Sequence, residues 1–251
     1  MRTNAASKAL DGTLLIAGLL ALWTAGTFLW GRDVLPSPVH TVSKLADIVS
    51  APDFARNLHE TLRAFLLALA IAFSVGVALG MILGARRLLG DVFEPVLMAL
   101  YSIPKISLYP VILLAFGLGM PAKVAFGVIH GVIPVTIFTM NAVRNIPRTY
   151  FRTAGVLRMS AWRVGWRILL PAALPEIVAG LRLGFSLTLL GTLIGEMFAS
   201  QYGIGQMLMH AIDRNEADSI MALSLMLFIF AVAASMGLLA LDKHLRRGMV
   251  R

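Results

Sequence analysis

Six stretches of the chain are apolar almost without interruption, at about 13–30, 64–83, 92–118, 122–143, 174–198 and 219–241. A hydrocarbon core of about 30 Å takes about 20 helical residues to cross, so each stretch predicts one membrane-spanning helix. Arg2 and Lys8 precede the first, as in a secretion signal. The run from Leu14 to Trp30 is nevertheless longer than the apolar core of such a peptide, and no A-x-A site follows it. It is read as an uncleaved first helix. The pattern predicts an all-α polytopic membrane protein with six transmembrane helices, forming a single transmembrane domain over 1–251.

The connections set the orientation. With the N-terminus inside, 14 cations fall on the cytosolic side: Arg2, Lys8, Arg86, Arg87, Arg144, Arg148, Arg152, Arg158, Arg163, Arg167, Lys243, Arg246, Arg247 and Arg251. Six fall outside, at Arg32, Lys44, Arg56, Arg63, Lys123 and Arg214, while Lys105 and Arg182 lie within spans. Cations concentrate on cytosolic loops, which predicts both termini in the cytosol. In the outer segment 31–60, Leu35-Pro36-Ser37-Pro38 is followed by Val39, Val42, Leu45, Ala46 and Val49 at helical spacing. That predicts a short amphipathic helix at the outer interface. The inner segment 144–170 carries six arginines and no acidic residue.

Within the spans, glycines recur every four residues: Gly76, Gly80 and Gly84; Gly127 and Gly131; Gly180 and Gly184; Gly191 and Gly195. Such ridges let helix backbones approach closely, equally well inside one subunit or across a dimer. Prolines at 95, 104, 110 and 134 interrupt the third and fourth spans. In lipid this is tolerated where protein covers the freed carbonyls or they line a wet cavity, so these two helices are the pathway candidates.

Composition narrows the function. Charged residues are only 14% of the chain, the apolar fraction is 58% and the mean hydropathy is +0.82, too little polar surface to cover a soluble particle. The net charge of +9 would suggest a nucleic-acid partner in a soluble domain. Here the cations flank apolar runs and fix topology, so no nucleic acid is expected. Without cysteine, and with five scattered histidines, the chain offers no disulfide, thiolate zinc site or paired-histidine metal site. None of the five lysines, at 8, 44, 105, 123 and 243, precedes Ser or Thr, so no P-loop is present. An intramembrane hydrolase would need a nucleophile beside a base. Gly184-Phe185-Ser186-Leu187-Thr188 lacks the final glycine of a nucleophile elbow, and no histidine shares its span. An ion-coupled carrier would show internal repeats and several intramembrane carboxylates, whereas Glu196, near the outer end, is the one candidate taken for such a role.

Four residues of the third span suggest a wet face: Pro104, Lys105, Ser107 and Tyr109. Lys105 is residue 14 of the 27 in that run, near mid-membrane, where an unpaired ammonium costs about 2.5–3.5 kcal/mol on insertion scales. It faces a pathway for an anion, or it pairs with a carboxylate or carbonyls for folding alone. His130, the one deeply placed imidazole, has the same two readings.

The inner segment has its own pattern. Arg152-Thr153-Ala154-Gly155-Val156-Leu157-Arg158-Met159-Ser160 is followed by Ile168-Leu169-Leu170-Pro171. It resembles the cytosolic loop of permease subunits of bacterial ATP-binding-cassette importers, which has the form EAAxxxG and then IxLP nine residues later. Ala154 matches the second alanine, and Ile168, Leu170 and Pro171 match the second half. Arg152 stands at the glutamate position and Arg158 at the glycine position. Leu35-Pro36-Ser37-Pro38, Ile103-Pro104, Pro110, Phe116-Gly117-Leu118-Gly119, Gly195-Glu196-Met197 and Gly203-Ile204-Gly205 resemble, in order, the nitrate, sulfonate and taurine branch.

The resemblance implies a non-catalytic permease of the bacterial inner membrane, acting as a homodimer or beside a second permease. Separate ATP-binding-cassette subunits would carry ATP and Mg²⁺, and an external binding protein would deliver the substrate. This chain would bind no cofactor itself. The cargo implied is a small anion such as a sulfonate, taurine or nitrate, or else a thiamine precursor or riboflavin. ATPase coupling would fall on coupling helices in the 144–171 loop, at Arg152, Thr153, Ala154, Gly155, Leu157, Arg158, Ser160, Ile168, Leu170 and Pro171. The segment predicts a short helix, a turn near 158–160 and a second short helix, with Trp162 and Trp166 on one face. Because Ala154, Leu157, Val164 and Ile168 interleave with the arginines, a protein partner fits better than anionic lipid headgroups.

Overall fold

A computed structural model describes residues 5–249, with side chains described at 11–147, 149–160 and 162–240. Of the cations counted for orientation, Arg2 and Arg251 lie outside the described residues, as do the side chains of Lys8, Arg148, Lys243, Arg246 and Arg247. Every regular element among the described residues is helical. In chain order they are α1 (Ala5–Trp30), α2 (Pro38–Ser50), α3 (Phe54–Ala85), α4 (Arg87–Ser102), a 3₁₀ turn at Lys105–Leu108, α5 (Tyr109–Phe116) and α6 (Met120–Arg144). Then follow α7 (Arg148–Val156), α8 (Ala161–Val164), a π-turn at Gly165–Leu169, α9 (Leu170–Ala199), α10 (Ile204–Asp213) and α11 (Ala217–Met249).

Five helical stretches are long and apolar enough to cross a membrane: Asp11–Trp30, Phe54–Ala85, Met120–Arg144, Trp162–Ala199 and Ala217–Ala240. The third apolar run, expected as one span interrupted by prolines, is more sharply broken than that. It divides into Arg87–Ser102 and Lys105–Phe116, bent by 89° at the break, and the spans number six only if this pair counts as one. Pro104 is the cause: it has no N–H to donate and it drives the residue before it out of the helical region, and Ile103 is extended with ψ 133°. Pro110 is no helix breaker here, since it occupies the first turn of α5, where a missing N–H costs nothing.

The fifth span also begins earlier than its apolar run, because α8 passes through the π-turn into α9 without a break. The second begins earlier too: the 32 residues of α3 extend about 48 Å at 1.5 Å per residue, so Arg56 and Arg63 lie on the helix rather than in a connection.

The chain divides into two compact units. One comprises Met1–Ala55 and Met207–Ile229. In it the amphipathic α2 forms where the pattern placed it, with Ser37 as N-cap accepting from the His40 N–H and Pro38 in the first turn. Val39, Val42 and Val49 are all exposed, a row suited to lipid, while Thr41 is buried. The Trp23 indole donates to the Pro36 carbonyl at 2.9 Å, and His40 lies 3.2 Å from Asp218.

The second unit comprises Arg56–Gln206 and Phe230–Arg251, and its centre is α6 between α3 and α9. The glycine ridges, which the sequence left open between two uses, are spent on this packing. A Cβ at Gly76, Gly80 or Gly84 of α3 would meet Val135, Thr139 or Val143 of α6 in turn. At Gly80 it would fall 2.5 Å from Thr139 Cβ and 2.7 Å from the Thr136 carbonyl. On α9, Gly180, Gly184, Gly191 and Gly195 meet Phe138, Val135, His130 and Lys123 of α6 in the same way. Two apolar clusters close the contact at opposite ends, one around Ala142, Ile146, Ala173 and Ile177 and one around Ile112, Phe126 and Ala199.

Candidate functional site

At the basic end of α6 the chain forms the short helix, turn and second helix that the sequence predicts. α7 closes in a paired-bond cap: Met159 N–H donates to the Ala154 carbonyl and Arg158 N–H to that of Gly155, both at 3.0 Å. This geometry requires a left-handed residue, usually glycine, and Arg158 adopts it with φ 47°. The departure from the family's glycine therefore leaves the turn intact at a backbone cost of about 1–2 kcal/mol.

Ala154 is buried at 4% exposure, so the retained alanine packs inward and fixes α7. Arg152, Thr153, Gly155, Leu157, Arg158 and Ser160 are exposed. Trp162 and Trp166 stack edge-on with centroids 5.7 Å apart and lie open. Ile168 and Pro171 line a cavity of about 530 Å³ with Tyr150, Arg167 and Glu176, and Leu170 begins α9. Arg152 lines a larger cavity of about 750 Å³, together with Arg87, Asp91 and Arg144.

An ion cluster that the sequence did not suggest holds this end together. Arg144, the last residue of α6, donates from Nη1 to Glu94 at 2.7 Å and from Nη2 to Asp91 at 2.8 Å. A cation suits the C-terminal turn of α6, and Asp91 and Glu94, three residues apart on one face of α4, are placed to share it. The separations of 50 and 53 residues hide the pairing from local patterns.

The broken third run carries the pathway candidates. Once α4 stops at Ser102, the Tyr101 carbonyl has lost its helical partner, the N–H of residue 105. Lys105 supplies its ammonium instead, Nζ to Tyr101 O at 2.9 Å, and the same ammonium lies 5.1 Å from the Tyr101 ring centroid. The ammonium is thus bonded to a carbonyl, at a half-exposed break rather than mid-helix. Ser107 donates to the Pro104 carbonyl at 2.7 Å, and Pro104 is exposed.

Tyr109 faces the other way. Its hydroxyl donates to the Phe198 carbonyl at 2.5 Å, and its ring packs on Phe126 and Phe198. His130 is buried in the α6–α9 contact. Its Nδ1 lies 2.8 Å from the Phe126 carbonyl, which can only accept, so Nδ1 carries the proton.

Glu196 is not on an open surface. Its side chain has no exposed area, and its carboxylate accepts from Thr61 Oγ1 at 2.8 and 3.0 Å and from Gly205 N at 3.0 Å. Lys123 Nζ stands 3.6 Å away, and it also reaches Glu60 at 3.5 Å and the Tyr202 carbonyl at 3.0 Å. Asn57 Oδ1 receives Gly203 N at 2.7 Å, and Thr61 Oγ1 receives Ile204 N at 2.8 Å. Gly195-Glu196 and Gly203-Ile204-Gly205, separate fragments in the sequence, thus form one site. A Cβ at Gly203 would run into the carboxylate, and its φ of 134° suits glycine alone.

Lys123, counted as an outer-loop cation, is 2% exposed. The sequence signal for it was the rule that cations in apolar surroundings pair. Among the described residues no three His, Asp or Glu side chains gather as metal ligands.

The comparisons with known proteins agree with this architecture. The chain belongs to the family described as binding-protein-dependent transport system inner membrane component, which matches residues 76–251. It is 30% identical over 224 residues to a probable ABC transporter permease protein of Haemophilus influenzae, covering 88% of this chain and 90% of the relative. The formylaminopyrimidine transport permease protein of Halalkalibacterium halodurans is 27% identical, with 94% of this chain and 93% of the relative covered. The taurine transport system permease protein of Escherichia coli is 28% identical, with 93% and 87% covered. Among solved structures, a methionine ABC transporter in an inward-facing conformation superposes with a TM-score of 0.66 at 18% identity, over 76% of this chain and 95% of that one. That likeness speaks to the fold. Family and apolar helices together make this a multi-pass inner-membrane permease.

Proposed function

We propose that the chain is the permease half-subunit of an ATP-driven importer, with six spans, both termini in the cytosol, and 1–251 acting as one permease domain. Two copies would form the pathway. Separate ATP-binding-cassette subunits, holding ATP and Mg²⁺, dock on the 144–171 loop, and an external binding protein delivers the substrate. The permease itself performs no catalysis and binds no cofactor. ATP binding draws the ATPases together, and the loops convert that closure into alternating access.

The observation that carries this reading is the capped α7, left-handed turn and open Trp162–Trp166 pair between α6 and α9. In the coupling surface Arg152, Thr153, Gly155, Leu157, Arg158 and Ser160 contact the partner. Ala154, Ile168, Leu170 and Pro171 hold the helices in register. The substrate class is a small anion such as a sulfonate, taurine or nitrate, supported by the taurine relative and by the ammonium at the break in the third span. Pro104, Lys105 and Ser107 form the pathway face, with Tyr109, His130 and Glu196 behind it as supports. The formylaminopyrimidine relative favours a second cargo, a thiamine precursor, within the same transporter class.

The chain contains no cysteine, so a single cysteine at Ser160 tests the docking directly. Cross-linking of Ser160→Cys to the ATPase subunit in membranes is expected, and its absence with an assembled transporter removes this loop from the interface. Proteoliposomes that hold the permease with its ATPase, loaded with ATP and given the binding protein outside, should take up labelled taurine. Uptake of formylaminopyrimidine instead moves the assignment to the second cargo.

A further inference from the structure

The exposed face of the 152–167 segment is cationic and apolar at once. Arg152, Arg158, Arg163 and Arg167 are open to solvent, and among the described residues none of them forms an ion pair. Val156, Leu157 and Trp162 beside them are 83%, 66% and 74% exposed. A surface that leaves large apolar side chains and unpaired guanidinium groups together marks an interaction site.

Arg158 adds an independent observation. It occupies the left-handed position that closes α7, where glycine would relieve the backbone, yet a guanidinium with no ion pair among the described residues is kept there. Non-specific attraction to a fluid headgroup layer is indifferent to which loop position carries the charge, and does not account for a cation held at a strained, rigidly capped site. A fixed carboxylate on a folded partner does.

Resting on the reading of this loop as the ATPase-docking element, we infer that its partner groove is apolar at the floor and acidic at the rim, with carboxylates facing Arg152 and Arg158. A groove suited to the family's glutamate at position 152 would offer a cation there and repel Arg152. The charge pair is therefore reversed in this transporter, and the reversal sets which ATPase the permease accepts.

The test uses the permease purified from membranes together with its own ATPase subunit. Arg158→Gly should raise the melting temperature of the isolated permease, because the turn is relieved, while weakening ATPase retention about tenfold. Arg158→Lys should retain the ATPase, and Arg152→Glu should lose it. In Arg152→Lys and Arg158→Lys, a water-soluble carbodiimide should join the new amine to Asp or Glu of the ATPase, mapped by peptide mass spectrometry.

Wild-type retention by both Arg158→Gly and Arg152→Glu overturns the inference, as does the absence of any carbodiimide link. If the two variants keep the ATPase but lose binding to phosphatidylglycerol vesicles, the arginines serve the lipid surface and the inference is likewise overturned. If the wild-type permease holds no ATPase under any salt condition, the ATPase-docking reading falls with it.

Discussion

Lys123 Nζ and Glu196 Oε1 lie 3.6 Å apart in a site where the lysine side chain is 2% exposed and the glutamate not at all. The two belong to the first turns of α6 and the last turns of α9. With Thr61 they tie three helices and the start of α10 at the end opposite the coupling loop. Burying two charges is costly, and the cost is offset only when nearly every donor and acceptor is engaged, as here.

Removing one partner should therefore be worse than removing both. Lys123→Met and Glu196→Gln each leave an uncompensated polar group and should cost about 3–5 kcal/mol. The double variant should recover part of that loss. Thermal unfolding in detergent, read as a double-mutant cycle, gives the answer. Equal, additive losses would mean that the pair is not coupled.

Gly80→Ala should destabilise the α3–α6 contact by about 1–3 kcal/mol, because the added carbon would sit 2.5 Å from Thr139 Cβ and force the helices apart. Gly18→Ala is the control, since nothing lies within 4 Å of its Cβ position. The melting temperature should fall for the first variant and hold for the second.

Reporter fusions give the topology. Fusions after Pro36 and Asp213 should report outside, and fusions after Arg87 and Arg158 inside. A reversal at any of the four contradicts the orientation argued from the cation count.

Lys105→Met separates the two uses of that ammonium. If the Nζ bond to Tyr101 O is purely a helix cap, the variant should be less stable and its remaining transporters should work normally. If the ammonium also meets a passing anion, assembly and basal ATP hydrolysis should persist while anion uptake falls severalfold. Uptake and thermal stability measured on the same preparation distinguish the two.

Much of the architecture was legible because the relevant signals are local. A long apolar run must be helical in lipid, since only a helix satisfies its backbone from within. Ser37-Pro38 starts α2, and Pro104 ends the helical path of the third run, each through the atoms of one or two residues. The 89° bend at Pro104 was only half legible. Proline marks where a helix fails, but the direction of the chain after the failure depends on what packs there: Tyr109 on Phe126 and Phe198, and Ile112 in the cluster with Ala122 and Ala199.

By itself the sequence determined the number of apolar runs and the basic character of the 144–170 connection, because hydropathy and charge are properties of residues and near neighbours. The turn near 158–160 followed from the resemblance of the loop, since Arg158 has no local preference for it. Only the tertiary structure decided that the glycine ridges face α6 within one chain, that Lys123 is buried against Glu196, and that Arg144 clamps Asp91 and Glu94. Each of those depends on which helix faces which and at what height. That choice follows from the fit of whole helix surfaces, with partners tens of residues apart in the chain.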